Sequence, residues 1–211
     1  MTEAIVIVGC GGFGREVHDV IDAINAIEPT WHLIGYVDDD PSEENRLLVT
    51  RRGSRVLGPL AQLHAMEPGH AVIGIGAGAV RRTIDGKLED WGWRSATLIH
   101  PDATLGAQVH VGDGAVVCAG SRLTNNIRIG RHVHINLNTT VGHDCTLHDY
   151  VTVNPLVAIS GGVEVGPDAM LGTHSAVLQN LTIGASAIVG AGSCVVSSVP
   201  ADTTVKGVPA R

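Results

Sequence analysis

A histidine beside an aspartate is the pair in this sequence best suited to moving a proton. His143 and Asp144 follow Val141 and Gly142 in the run Val-Gly-His-Asp-Cys. A free imidazole titrates near pH 6.5, and a neighbouring carboxylate steadies the cation formed when the ring takes a proton. That is the work of a general base. Asn136, seven residues before His143, is placed by this reading to hold the ring or a substrate group. The chain has eleven histidines, so it is position in a repeating unit that singles out His143.

A second stretch suits an anionic ligand. Ile5-Val6-Ile7-Val8 reads as a buried parallel strand and leads into Gly9-Cys10-Gly11-Gly12-Phe13-Gly14-Arg15-Glu16, then a helix carrying Val17, Val20, Ile21 and Ile24 at helical spacing. A strand, a glycine turn and a helix start offer free backbone N–H groups and a positive dipole end to a phosphate. Leu33–Val37 predicts a second strand, and the acids after it, Asp38, Asp39 and Asp40, stand where such units meet a ribose or base. Ala71–Gly78 predicts a third strand with its own glycine turn, followed by Arg81 and Arg82. The glycine spacing meets G-x-G-x-x-G only loosely, which argues against a redox dinucleotide, and a turn that binds nothing is the alternative.

The element that must carry His143 is written in a period of six. From Leu105 to Val195 every sixth residue is aliphatic, sixteen in succession, and a second small or apolar column stands two residues before each, as at Thr139, Cys145, Val151 and Val157. Neither the helical nor the simple strand period gives this pattern. One short strand plus a turn per unit does, and stacking the units buries both inward columns. His143 then falls on the outward half of its unit. Ile99 already starts the register, so residues 95–104 join the halves without a flexible linker, and residues after Val195 cap the last coil, with Lys206 and Arg211 available to an anion.

Length, charge and composition narrow the class. The 211 residues suffice for two small domains, expected at 1–98 and 99–211. A formal charge of −7 argues against a nucleic-acid partner. No run is apolar enough to cross a bilayer and the start does not read as a signal peptide, so no membrane and a cytoplasmic location are expected. Cys10, Cys118, Cys145 and Cys194 form no C-x-x-C, which speaks against disulfides and a zinc knuckle. The polar residues 41–56 read as a surface excursion.

Ile135-Asn136, Val141-Gly142-His143-Asp144-Cys145, Gly11–Glu16, Val37-Asp38-Asp39, Ile75-Gly76 and Gly207-Val208-Pro209-Ala210, in that arrangement along the chain, resemble the bacterial sugar acetyltransferases. This family includes the sialic acid O-acetyltransferases and the UDP-4-amino-sugar N-acetyltransferases of the hexapeptide-repeat class. The resemblance implies an α/β N-terminal Rossmann-like nucleotide-binding domain followed by a left-handed parallel β-helix built from hexapeptide repeats. It also implies a homotrimer, acetyl-CoA as co-substrate in a groove between protomers, no metal, and a nucleotide-sugar acceptor on the N-terminal domain. By the same resemblance His143 is the general base, Asp144 supports it, Gly11, Gly12, Phe13, Asp38, Asp39 and Gly76 meet the nucleotide-sugar, and Thr152, Gly161 and Thr173 line the coenzyme groove.

Three positions depart from the family's pattern. Phe13 and Thr152 stand where histidines are usual, and His148 where glycine is common. The acetyl acceptor is expected to be an amino group, with a sugar, sialic acid or natural-product hydroxyl as the alternative. Two rivals have other chemistry. His143-x4-His148, with His110, His132, His134 or His174 as a third ligand, resembles the zinc site of trimeric β-helical carbonic anhydrases. A solenoid that binds or scaffolds without catalysis is the other.

Overall fold

Ile5, Val6, Ile7 and Val8 are buried because their strand, β1 (Glu3–Val8), runs at the centre of a parallel sheet. The computed structural model describes residues 2–211, which divide into two compact units. The first takes the residues up to Gly76 together with Val80–Ala96, the second Ala77–Ala79 and Thr97–Arg211.

In the first unit, α1 (Gly12–Ile27), β2 (Trp31–Val37), α2 (Glu43–Arg51), β3 (Val56–Gly58), β4 (His70–Ile73), α3 (Gly78–Asp90) and β5 (Arg94–Ser95) follow β1. Every strand pair is parallel, in the order β3-β2-β1-β4-β5. Strands buried on both faces need continuous aliphatic runs, which is what β1 and β4 supply. Helix α1 buries Val17, Val20 and Ile21, the positions its spacing marked. The stretch 41–56 is not simply irregular. Ser42 caps α2 by accepting from the Asn45 N–H at 3.2 Å, and Glu43 and Glu44 occupy its positive end, yet only Val49 is buried. A helix with one buried residue writes no apolar stripe into its sequence.

The second unit is a left-handed parallel β-helix. Two-residue strands pair at intervals of eighteen, Arg122 with Thr140, Thr140 with Ala158, Ala158 with Ala176, Ala176 with Cys194, so three hexads make one coil. The coils form three parallel sheets, and its first strand, Leu98–Ile99, pairs with Val116–Val117. Both expected inward columns are buried: Thr139, Val141, Cys145, Leu147, Val151 and Val153 are each at most 1% exposed. Removing such an aliphatic from water is worth about 1.5–3 kcal/mol. Ile99, Leu105, Val109 and Val111, at the open N-terminal end, are only partly buried. At the other end Thr204–Val205 pairs with Ile188–Val189, and the Ala210 N–H donates to the Cys194 carbonyl at 2.8 Å.

Corners between sheets impose a second period of six. Every sixth residue from Gln108 to Gly192 has a positive φ, as at Asn126 (53°), Asn138 (56°), Asp144 (62°) and Asn180 (60°). A turn with left-handed backbone at its third residue prefers Gly, Asn or Asp, whose short side chains tolerate it. The three corners of a coil therefore favour small polar residues that point outward.

Candidate active site

His143 and Asp144 are the two central residues of one such corner, between the strands Thr140–Val141 and Thr146–Leu147. The turn holds both side chains outward, with 64% and 54% of their side-chain surfaces exposed. His143 Nδ1 lies 2.6 Å from Asp144 Oδ2. Asp144 Oδ1 accepts from Asn126 Nδ2 at 2.5 Å, one coil back on the same corner. These bonds, the Asn126 amide first and the imidazole second, hold the Asp144 carboxyl below its usual pKa. An ionised Asp144 assigns the proton to His143 Nδ1 and leaves Nε2 with a lone pair.

One coil on, the corner is Gly161-Gly162, and a methyl on Gly161 would lie 2.6 Å from His143 Nε2 and Cε1. The imidazole therefore lies directly over bare backbone. Asn136 is elsewhere: it is 6% exposed and its Nδ2 donates to the Val153 carbonyl at 2.8 Å, as Asn154 does to Leu171 at 2.9 Å. Those two asparagines form a ladder between coils, and the side-chain amide beside the pair is that of Asn126, which meets Asp144 and not the ring.

The coenzyme candidates do not all converge within one chain. Gly161 shares the His143 corner. Thr152 lies on the sheet of His134 and Met170 and is 4% exposed, whereas Thr173 is exposed at the corner between that sheet and the next. Two histidines of the metal reading are engaged otherwise. His148 Nε2 meets Glu164 Oε1 at 2.8 Å, and His132 is buried, stacked on Tyr150 with ring centroids 5.8 Å apart. Among the described residues no group of three or more His, Cys, Asp or Glu side chains is arranged so that it could hold a metal ion.

In the first unit the glycines fall into two sets. A methyl on Gly14 would sit 1.9 Å from the Gly9 carbonyl oxygen, and one on Gly74 would sit 2.5 Å from Gly14 Cα. Gly14 and Gly74 are thus required by helix α1 packing against the turn and the end of β4. A methyl on Gly11, Gly12 or Gly76 would meet nothing within 4 Å. The expected ligand glycines are those that the fold itself does not need. Gly11 begins α1 without a side-chain cap, no acid occupies the first turn, and Phe13 there is half-buried. No side chain at this positive helix end therefore opposes an anion.

Asp38 and Asp39 shape this region instead of standing loose. Asp38 accepts from the Cys10 N–H at 2.8 Å and the Asp40 N–H at 3.0 Å, and Asp39 from the Leu60 N–H at 2.7 Å. A cavity of about 280 Å³ opens beside them, walled by Leu60, Ile75, Val80 and Ile84. Its size and mostly apolar wall suit a flat ring. Arg81, fully buried, donates to the Ile75 and Gly76 carbonyls at 2.9 and 2.8 Å and fixes the second glycine turn. Cys10, beside Asp38, has its thiol pushed up to about 11 by burial and by that carboxylate. It stays protonated.

Residues 4–88 match the PglD N-terminal domain family. The structure superposes on PerB from Caulobacter crescentus, solved in complex with CoA and GDP-perosamine, with a TM-score of 0.86 and 33% identity over 99% of this chain and 96% of that one. WeeI from Acinetobacter baumannii gives 0.86 and 30% identity, covering 100% of this chain and 99% of that one. The chain belongs to the hexapeptide-repeat sugar acetyltransferases. A GDP-perosamine N-acetyltransferase of Escherichia coli is 33% identical over 137 residues, 63% of this chain and 62% of that one, so the chain spans less than two thirds of that curated relative's length. In this chain the residue that sequence reasoning passed over is Asn126. It stands eighteen residues before Asp144, one coil, and counting back by a coil from the base pair would have found it.

Proposed function

We propose that the protein is an acetyl-CoA-dependent acetyltransferase that N-acetylates a nucleotide-linked amino sugar, with His143 as general base. The observation that carries this is the His143–Asp144 contact on an exposed corner, which engages Nδ1 and leaves Nε2 to a substrate. PerB, bound to CoA and GDP-perosamine and similar over nearly the whole chain, supports the substrate class.

The acceptor amine attacks the thioester carbonyl while Nε2 takes its proton, and Asp144 steadies the imidazolium. Collapse of the tetrahedral adduct breaks the C–S bond, and the proton held on Nε2 is available to the departing thiolate. No acyl-enzyme is needed once both substrates are aligned. Gly11, Gly12 and Gly76 give the nucleotide's phosphates access to backbone, and the cavity beside Asp38 and Asp39 takes its base. Thr152 and Thr173 lie away from the His143 corner, so a groove holding all three coenzyme positions needs a second copy of the chain. We place this homotrimer in the cytoplasm, where acetyl-CoA and nucleotide-sugars are made.

A free-thiol assay of CoA release against GDP-, UDP- and dTDP-amino sugars and free sialic acid tests the reading. Release with one nucleotide-linked amino sugar is expected. Release with the hydroxyl acceptor alone makes the enzyme an O-acetyltransferase, and no release from protein that binds CoA overturns the proposal.

A further inference from the structure

We propose that Asn126 is a positioning residue for the catalytic base, fixing Asp144 so that it presents one oxygen to His143 Nδ1. The inference rests on His143 being the base. Asp144 projects from an exposed corner, where nothing in the turn itself determines its rotamer. Its two oxygens are nonetheless divided: Oδ1 takes the Asn126 amide and Oδ2 the imidazole. Backbone pins the same pair of coils together, because the Asp144 N–H donates to the Asn125 carbonyl at 3.1 Å.

Chemistry explains the residue type. Position 126 has φ 53°, which Asn tolerates. An amide donates without a charge of its own, so it fills one oxygen and leaves the full negative charge facing the ring; a lysine or arginine would draw that charge away from His143. The next coil contributes only Gly161 and Gly162, so no side chain there holds Asp144 from the other side. Other corner asparagines do not share this placement. The Asn180 amide lies over Gly162, where there is no side chain to orient.

Two substitutions test the role. Asn126→Gly keeps the backbone conformation and removes the amide, and Asn126→Asp keeps the shape and removes the donor. Both are expected to lower kcat about ten- to a hundredfold with KM for each substrate unchanged, the cost of a misaimed catalytic group. The ¹⁵N signals of the His143 ring, read without substrate, are expected to pass from one tautomer protonated at Nδ1 to a mixture. His143→Ala is assayed in parallel. If it is inactive while both Asn126 variants keep near-native kcat and a single tautomer, Asn126 is a turn residue only. If His143→Ala retains activity, the base assignment falls and this inference with it.

Discussion

Gly161 sets the height of the His143 ring. Any Cβ there would lie closer to the imidazole than real contacts allow, and the ring, being the exposed and flexible partner, is what must move. Gly161→Ala is therefore expected to fold while losing about ten- to a hundredfold in kcat. His143→Ala loses about 10²–10⁴-fold, the range for a general base. A Gly161→Ala enzyme with native kcat would show that the ring does not rest there during turnover. At this scale the sequence was half legible. His143 and Asp144 could be read from their turn, but Asn136 could not be placed by its nearness in sequence. Coils of eighteen make residues 125, 126, 161 and 162 the spatial neighbours of the pair, whereas Asn136 follows an inward aliphatic and turns its amide to the next coil's backbone.

Helix α1 shows what an element adds to its residues. Its inward face carries His18, whose Nδ1 meets the Tyr36 hydroxyl at 2.8 Å, with Asp22 3.6 Å from Nε2 and Arg52 bridging Asp19 and Asp22. Burial, the largest influence, and Arg52 lower the His18 pKa against the opposing pull of Asp22 and Asp19. His70 is lowered as well, by burial and Arg94. A histidine whose folded pKa lies below the unfolded value of about 6.5 binds fewer protons folded than unfolded, so stability rises with pH across that interval. The first unit should thus keep its full stability above about pH 6.5 and lose part of it as the pH falls toward the folded values. Trp31, Trp91 and Trp93, the only three tryptophans, all lie in that unit, so their fluorescence follows its urea unfolding alone. A midpoint flat from pH 7.5 to 5.5, or an unaltered slope in His18→Gln, would contradict this. The apolar spacing of α1 was visible in the sequence, but a histidine at the same spacing does not announce that its ring is buried against a tyrosine. Helix α2 was missed for the opposite reason, since one buried valine leaves no period.

At the scale of the molecule, the repeat made the β-helix the most legible feature of all. Sixteen aliphatic residues in register leave few other ways to bury them. What the repeat does not write is its outer surface. Leu137, Leu156, Leu178 and Val196 are each at least 39% exposed, and Leu156 is held at φ 63°. A leucine in left-handed backbone on an open corner carries a conformational cost. Apolar groups in this arrangement fit burial against further copies. Light scattering is expected to give about three times the 21.9 kDa of one chain. Leu156→Asp should shift the mass toward one chain and weaken CoA binding, since the groove would lose its second wall. A wild-type monomer that turns over acetyl-CoA would remove the trimer from the mechanism.

The interval of eighteen between Asn126 and Asp144, repeated between His143 and Gly161, turns the site into a matter of counting. Deleting or inserting a single codon between 126 and 161 can leave each of these residues in the gene and still separate them in space, because each later residue slides one place along its hexad and the inward columns turn outward. Only whole coils can be added or removed there without changing which corner each residue occupies, and even a whole coil inserted at this level would part His143 and Asp144 from Asn126 or Gly161. Below and above this window eighteen residues can be gained or lost as one coil, and the His143 corner is carried along intact.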